Sequence, residues 1–159
     1  MGSSRKSKKA LVRRVVSKLE DVVCESPDLG EVYGAQLRTA EAVARLLRPL
    51  LENEPSERFV ALLLNGKHRI TGFVEVSRGT LTTSLVHPRE VFGPALREVA
   101  AAVIVAHNHP SGDPEPSHED LEVTRRLREA GQLVGVPLLD HIIVGERGSF
   151  TSLRERGQF

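Results

Sequence analysis

Apolar residues recur at two different periods along the chain, and the points where the period changes mark its elements. Residues 10–24, ALVRRVVSKLEDVVC, place Leu11, Val15, Leu19 and Val22 at helical spacing with Arg and Lys on the other side, which predicts an amphipathic helix. A turn-rich stretch, ESPDLGEVYG, separates it from a second helical pattern, TAEAVARLLRPLLEN, where Pro49 should end or kink the helix because it has no amide to donate. The pattern then becomes strand-like. RFVALLLNGKHRITGFVEVSRG reads as two apolar strands around an Asn65-Gly66 turn, a dipeptide that tolerates the positive φ a tight hairpin needs.

HPREVFGPALREVAA returns to the helical period, with Phe92, Ala95, Leu96, Val99 and Ala100 on one face, Pro88 suited to a first turn, and Gly93-Pro94 placed to bend or restart it. AAVIVAH is a short continuous apolar run, the signature of a strand buried on both faces. After a polar loop, SHEDLEVTRRLREAG predicts a helix closed by Gly131; VPLLDHIIVG is another buried strand and GSFTSL a short final one. Strands alternating with helices predict an α/β layered domain with a central mixed sheet flanked by helices.

Composition agrees with a single core: 159 residues, 40% hydrophobic, suffice for one domain. The formal charge of +1 lacks the overall field of a protein built around nucleic acid. Locally the balance differs, since seven Lys or Arg fall in the first eighteen residues with no acid before Glu20. Residues 1–36 therefore read as a basic, helical amino-terminal extension, either a solvated face or an arm making weak contact with nucleic acid, and 37–159 as the domain proper. Cys24 is the only cysteine, which excludes an internal disulfide and a cysteine-based zinc site and fits a reducing, cytoplasmic setting. No apolar run is long enough for a signal peptide or membrane span, and Lys6 stands where a myristoylation signal needs Ser or Thr.

The chemistry concentrates in AHNHPSGDPEPSHED, residues 106–120. His107 and His109 leave a buried strand two residues apart, so both imidazoles point to the same side and can face one ion. A hydrolytic zinc typically takes three protein ligands from His and carboxylate and leaves the fourth position to water. Asp120 is the candidate third ligand, on the inward face of the following helix, where a nearby cation would offset its desolvation. Ser117 with Asp120 three residues on also resembles a capping box, which needs no metal.

H-x-H-P, six residues, then S-x-x-D, at His107, His109, Pro110, Ser117 and Asp120, resembles the motif of the JAMM metalloproteases, also called the MPN-plus or JAB domain. AHNHPSG, the PS before the helix, LLDHIIVG and VHPREVF look like the bacterial RadC-like branch of that family, and the resemblance runs from Leu37 to Phe159. It implies a JAB/MPN-type, cytidine-deaminase-like layered fold and a zinc held by His107, His109 and Asp120. It also implies a glutamate acting as general acid and base, with Ser117 steadying the oxyanion. Such a glutamate precedes an apolar strand, a position that Glu57 fits in PSERFVALLLNG; Glu75 and Glu90 remain competitors. One departure is that RadC-like proteins commonly carry an amino-terminal helix-hairpin-helix region, for which 36 residues are too few.

Other readings are weaker. HNH nucleases share only the letters, and amidohydrolases build His-x-His on a barrel of about 250 residues, which this chain cannot supply. The expectation is a zinc-dependent peptidase or isopeptidase acting on a peptide or isopeptide-linked protein and requiring no membrane. The alternative is a DNA-associated accessory protein with a metal-supported fold. Asn108, Ser111 and the Asp113–Pro116 stretch read as loop residues, and Asp140 and His141 as partners in structural hydrogen bonds within a buried strand.

Overall fold

The strands that carry the apolar runs at 59–64, 102–106 and 142–144 lie side by side inside the sheet, as burial on both faces requires. A computed structural model describes residues 36–79 and 86–159; the helix expected over 10–24 and the basic amino end lie outside the described residues. The described elements are α1 (Ala40–Leu51), β1 (Glu57–Leu64), β2 (Ile70–Gly79), α2 (Pro88–Arg97), β3 (Ala102–Asn108), α3 (His118–Val134), β4 (Leu138–Val144) and β5 (Phe150–Ser152). Five strands form one mixed sheet in the order β2-β1-β3-β4-β5. β1 pairs antiparallel with β2 and β3, and β3 and β4 run parallel with α3 as their crossover. Among the described residues no helix is long and apolar enough to cross a membrane.

Alternation along β1 sorts its side chains onto two cores. Val60, Leu62 and Leu64 pack with Val43, Leu47 and Leu51 of α1, while Phe59, Ala61 and Leu63 pack with Val91, Phe92 and Ala95 of α2 and Val123 and Leu127 of α3. Val103 and Val105 of β3 face the α2/α3 side, and His107 continues that face. The layers are thus helix, sheet, helices, and the strand end that carries the histidines opens towards α3.

Local punctuation differs from expectation at several points. The β1–β2 connection is not a two-residue Asn65-Gly66 turn. It runs through residue 69, and the Asn65 side-chain oxygen accepts from the Lys67 and Arg69 amides at 2.9 and 3.1 Å, so the asparagine shapes the loop with its side chain. Pro49 sits in the last turn of α1, which ends two residues later; Pro94 lies inside α2, which passes Gly93-Pro94 without restarting. α3 does not close at Gly131 but at Gly135, which adopts φ 77°. Gly131 is a glycine for another reason: a Cβ there would lie 2.6 Å from the Val136 carbonyl oxygen and 3.0 Å from the Phe92 ring.

α2 and α3 are closed by the same type of bond, from the residue after a left-handed position to the carbonyl five residues back, with different residues at that left-handed position. Ala100 N–H donates to Ala95 O at 2.8 Å and Val99 N–H to Leu96 O at 3.2 Å, as Val136 N–H donates to Gly131 O at 2.9 Å. Where α3 has a glycine, α2 has Val99, a β-branched residue at φ 54° and 86% exposed. A left-handed conformation costs a non-glycine residue about 1–2 kcal/mol, and the Val99 side chain is too exposed to offset that by packing. Val99→Gly is therefore expected to raise stability by about 1 kcal/mol, after the entropy glycine loses, as measured by urea denaturation; a lowered midpoint would contradict the strain at this cap.

Candidate metal centre

The site begins where β3 runs out of partners. His107 pairs with Phe59 of β1 and Ile143 of β4, and its ring stacks on Phe59 at 5.8 Å between centroids, 12° from parallel. One residue past the strand, His109 N–H still donates to Val144 O at 3.1 Å, which keeps the extended geometry that sends both imidazoles the same way. A turn follows, closed by Gly112 N–H to His109 O at 2.9 Å. The chain then enters α3 through a capping box in which Ser117 Oγ accepts from Asp120 N–H at 3.1 Å and Asp120 Oδ2 accepts from Ser117 N–H at 2.8 Å.

That box fixes the carboxylate against the histidines. Asp120 Oδ1 lies 3.1 Å from His107 Nε2, Asp120 Oδ2 lies 3.1 Å from His109 Nε2, and the two Nε2 atoms are 3.0 Å apart. All three residues offer one ligand atom within 4.8 Å of the others. Metal–ligand bonds of about 2.0–2.1 Å in a tetrahedron put donor atoms roughly 3.3 Å apart, close to what is found, and two imidazoles with a carboxylate are a donor set suited to zinc. The residues therefore fit a divalent metal ion.

The electrostatics point the same way. Burial opposes ionisation of Asp120, but hydrogen bonds from His107 and His109 and from the Ser117 amide outweigh it and hold the carboxyl far below the usual range. The hydrogen bond to Asp120 raises the His109 pKa against partial burial, helped by the Asp113 carbonyl and the charges of Asp120 and Glu57. His109 Nδ1–H donates to Asp113 O at 2.7 Å, which turns Nε2 towards the cluster.

Of the remaining expected residues, Glu57 opens β1, two residues before Phe59, so alternation puts it on the His107 face and abreast of His109. Glu75 pairs with Val60 and lies on the opposite, α1 side, bonded to Arg58 Nε at 3.0 Å and Arg78 Nε at 3.1 Å. Burial opposes its ionisation, but Arg78 and Arg58 keep its pKa below the ordinary value. Glu90 sits in the first turn of α2 beside Arg89. Ser117 is exposed at the mouth of the site.

Two residues, Asn108 and His141, have larger roles than the sequence suggested. Asn108 is not a loop residue but the buried last residue of β3. Its Oδ1 accepts from Arg58 N–H at 2.7 Å and its Nδ2 donates to Ser56 O at 3.1 Å, so it grips the backbone on both sides of Glu57. Asp140 makes the expected structural bonds, accepting from Ser152 Oγ at 2.6 Å, His141 N at 2.7 Å and Arg154 N at 3.1 Å. His141 instead reaches the site: its Nε2 is 2.8 Å from His107 Nδ1 and its Nδ1 is 2.6 Å from Thr124 Oγ1. Complete burial, reinforced by the charge of the neighbouring His107, pushes the His141 pKa well below the ordinary value. The pairing of β4 with β3 creates this contact, and no spacing within the chain announces it.

A family model described as a RadC-like JAB domain matches residues 37–158. A UPF0758 protein of Syntrophotalea carbinolica is 52% identical over 124 residues, 78% of this chain and 54% of that protein. A UPF0758 protein of Geobacter sulfurreducens is 63% identical over 101 residues, 64% and 44% of the two chains. A third, of Geotalea uraniireducens, is 50% identical over 139 residues, 82% and 60%. The chain spans about half the length of these relatives.

Two outcomes are expected from this geometry. Asn108→Ala removes a buried side chain that satisfies the Arg58 amide and the Ser56 carbonyl and should cost about 1–3 kcal/mol in urea denaturation; unchanged stability would show that the clasp is not formed. A metal must displace the His109 proton, which is held to higher pH than on a free imidazole. Affinity for zinc should therefore rise with pH up to the raised His109 pKa and fall below it by up to about tenfold per unit. Calorimetric titration at several pH values checks this, and a flat profile would contradict it.

Proposed function

Because the chain belongs to the RadC-like JAB domain family, we propose that it is a zinc-dependent peptidase or isopeptidase that hydrolyses an amide bond with water. The observation that carries this reading is the convergence of His107, His109 and Asp120, from a strand end and a helix start, on a space their three donor atoms can share. When bound, zinc supplies a Lewis acid and lowers the pKa of water towards about 7.

Within this reading the chain's own residues divide the work. His107 and His109 bring neutral nitrogens and Asp120 a permanent negative charge, held in place by its helix cap. Glu57, on the same face, takes a proton from the attacking water and passes it to the leaving amine, and the Asn108 clasp fixes the backbone that carries it. Ser117 Oγ accepts from the Asp120 amide and so keeps its own proton to donate to the substrate oxyanion. Glu75, on the other face and neutralised by two arginines, takes no part. The substrate is a peptide or an isopeptide-linked protein, chosen by surfaces beyond the metal ligands.

The test pairs metal analysis with activity on a panel of peptide and isopeptide substrates. Wild type should bind about one zinc per chain, as in single-metal hydrolases. Glu57→Gln should keep the metal and lose at least about a hundredfold in rate, the usual contribution of a general base. His107→Ala should lose the metal. A wild-type protein without zinc affinity, or a Glu57→Gln variant of full activity, would overturn the assignment.

A further inference from the structure

Behind His107 a chain of hydrogen bonds has its direction fixed at one end. Thr124 Oγ1 lies 2.6 Å from the Asp120 backbone carbonyl, its partner four residues back on α3, and 2.6 Å from His141 Nδ1. A carbonyl oxygen only accepts, so the single hydroxyl proton of Thr124 is spent on Asp120 O, and the hydroxyl must accept from His141. The proton of His141 is then on Nδ1, which leaves Nε2 a bare lone pair 2.8 Å from His107 Nδ1. His107 must therefore donate from Nδ1, and its Nε2 is the nitrogen turned towards His109 and Asp120, where any second proton is shared with the Asp120 carboxylate and open to displacement by a metal. Both inner groups are shut off from water: His141 is 0% exposed and Thr124 1%.

We propose that Thr124 and His141 are positioning residues which set the tautomer of His107, so that its Nε2 is ready to ligate. A ligating imidazole ordinarily gives its second N–H to a carboxylate, a backbone carbonyl or water. His109 does this through the Asp113 carbonyl. His107 uses another imidazole, and an imidazole serves as acceptor only while something holds its proton on the far nitrogen. Thr124 does so. Its bond to the Asp120 carbonyl also links the backbone of the third ligand to the ring of the first, so one relay governs the orientation of both.

The inference rests on the metal-site reading above, and its test is read without substrate. Thr124→Val keeps the side-chain shape but offers nothing to the His141 Nδ1 proton, which is freed to move to Nε2 and turn the bond to His107 around. Zinc affinity, from competition with a chromophoric chelator, should fall about 10- to 100-fold, as when such supporting partners are removed elsewhere. Thr124→Ser, which restores the hydroxyl, should stay within about threefold of wild type on the same scale. Nitrogen-15 histidine spectra of the metal-free protein should place the His141 proton on Nδ1 in wild type and Thr124→Ser, and move it in Thr124→Val. Unchanged zinc affinity in a folded Thr124→Val protein, or a wild-type His141 protonated on Nε2, would overturn the relay. If wild type bound no metal, the hydrolase reading would fall, and the spectra would still decide the tautomer.

Discussion

The carboxylate of Asp120 is shared between a helix cap and two imidazoles, and the site depends on that sharing. As the third residue of α3 it closes the capping box with Ser117, which removes the rotamer freedom a lone aspartate would have. The fixed oxygens then meet His107 and His109 at 3.1 Å each. An aspartate is short enough for both tasks only if the helix starts close to the strand end, and the turn between His109 and Ser117 provides that. Helix capping and ligand placement are therefore one arrangement, and the favourable cap supports a buried charge that would be costly alone.

Sheet alternation supplies the second constraint. One face of β1 carries Val60, Leu62 and Leu64 into the α1 core, with Arg58 and Glu75 forming an ion pair at its end. The other carries Phe59 beneath the His107 ring and brings Glu57 alongside. A one-residue slip between β1 and β3 would exchange these sets, and the pairing of Phe59 with His107 sets the register. Asn108 reinforces it from the β3 side. The His-Asn-His triplet thus uses all three residues: the outer two face the cluster and the middle one clasps the segment bearing Glu57.

Much of this was legible in the sequence. The period changes located every described helix and strand, and the mixed α/β sheet flanked by helices is the architecture found. Strand alternation put His107 and His109 on one side and helix phase put Asp120 on the inward face of its helix, because those are local rules; that the three meet was implied by the family resemblance, and the structure brings them together. What escaped depends on partners distant in sequence. Gly131 read as a helix stop because glycine often is one, whereas it answers to the approach of Val136 and Phe92. Asn65-Gly66 suggested a tight turn, but the Asn65 side chain bonds two amides further on and lengthens the loop. His141 lies 34 residues from His107, and only the parallel pairing of β4 with β3 brings their rings together. The resemblance already favoured Glu57 over Glu75 as the glutamate before an apolar strand; the sheet adds only that the two lie on opposite faces.

His107, His109 and Asp120 converge so that they could hold one ion with two nitrogens and one oxygen. X-ray absorption at the zinc edge of the loaded protein measures this directly. A four-coordinate shell with two imidazoles at about 2.0–2.1 Å and the remainder oxygen is expected. An oxygen-only shell, or one with a single imidazole, would contradict it.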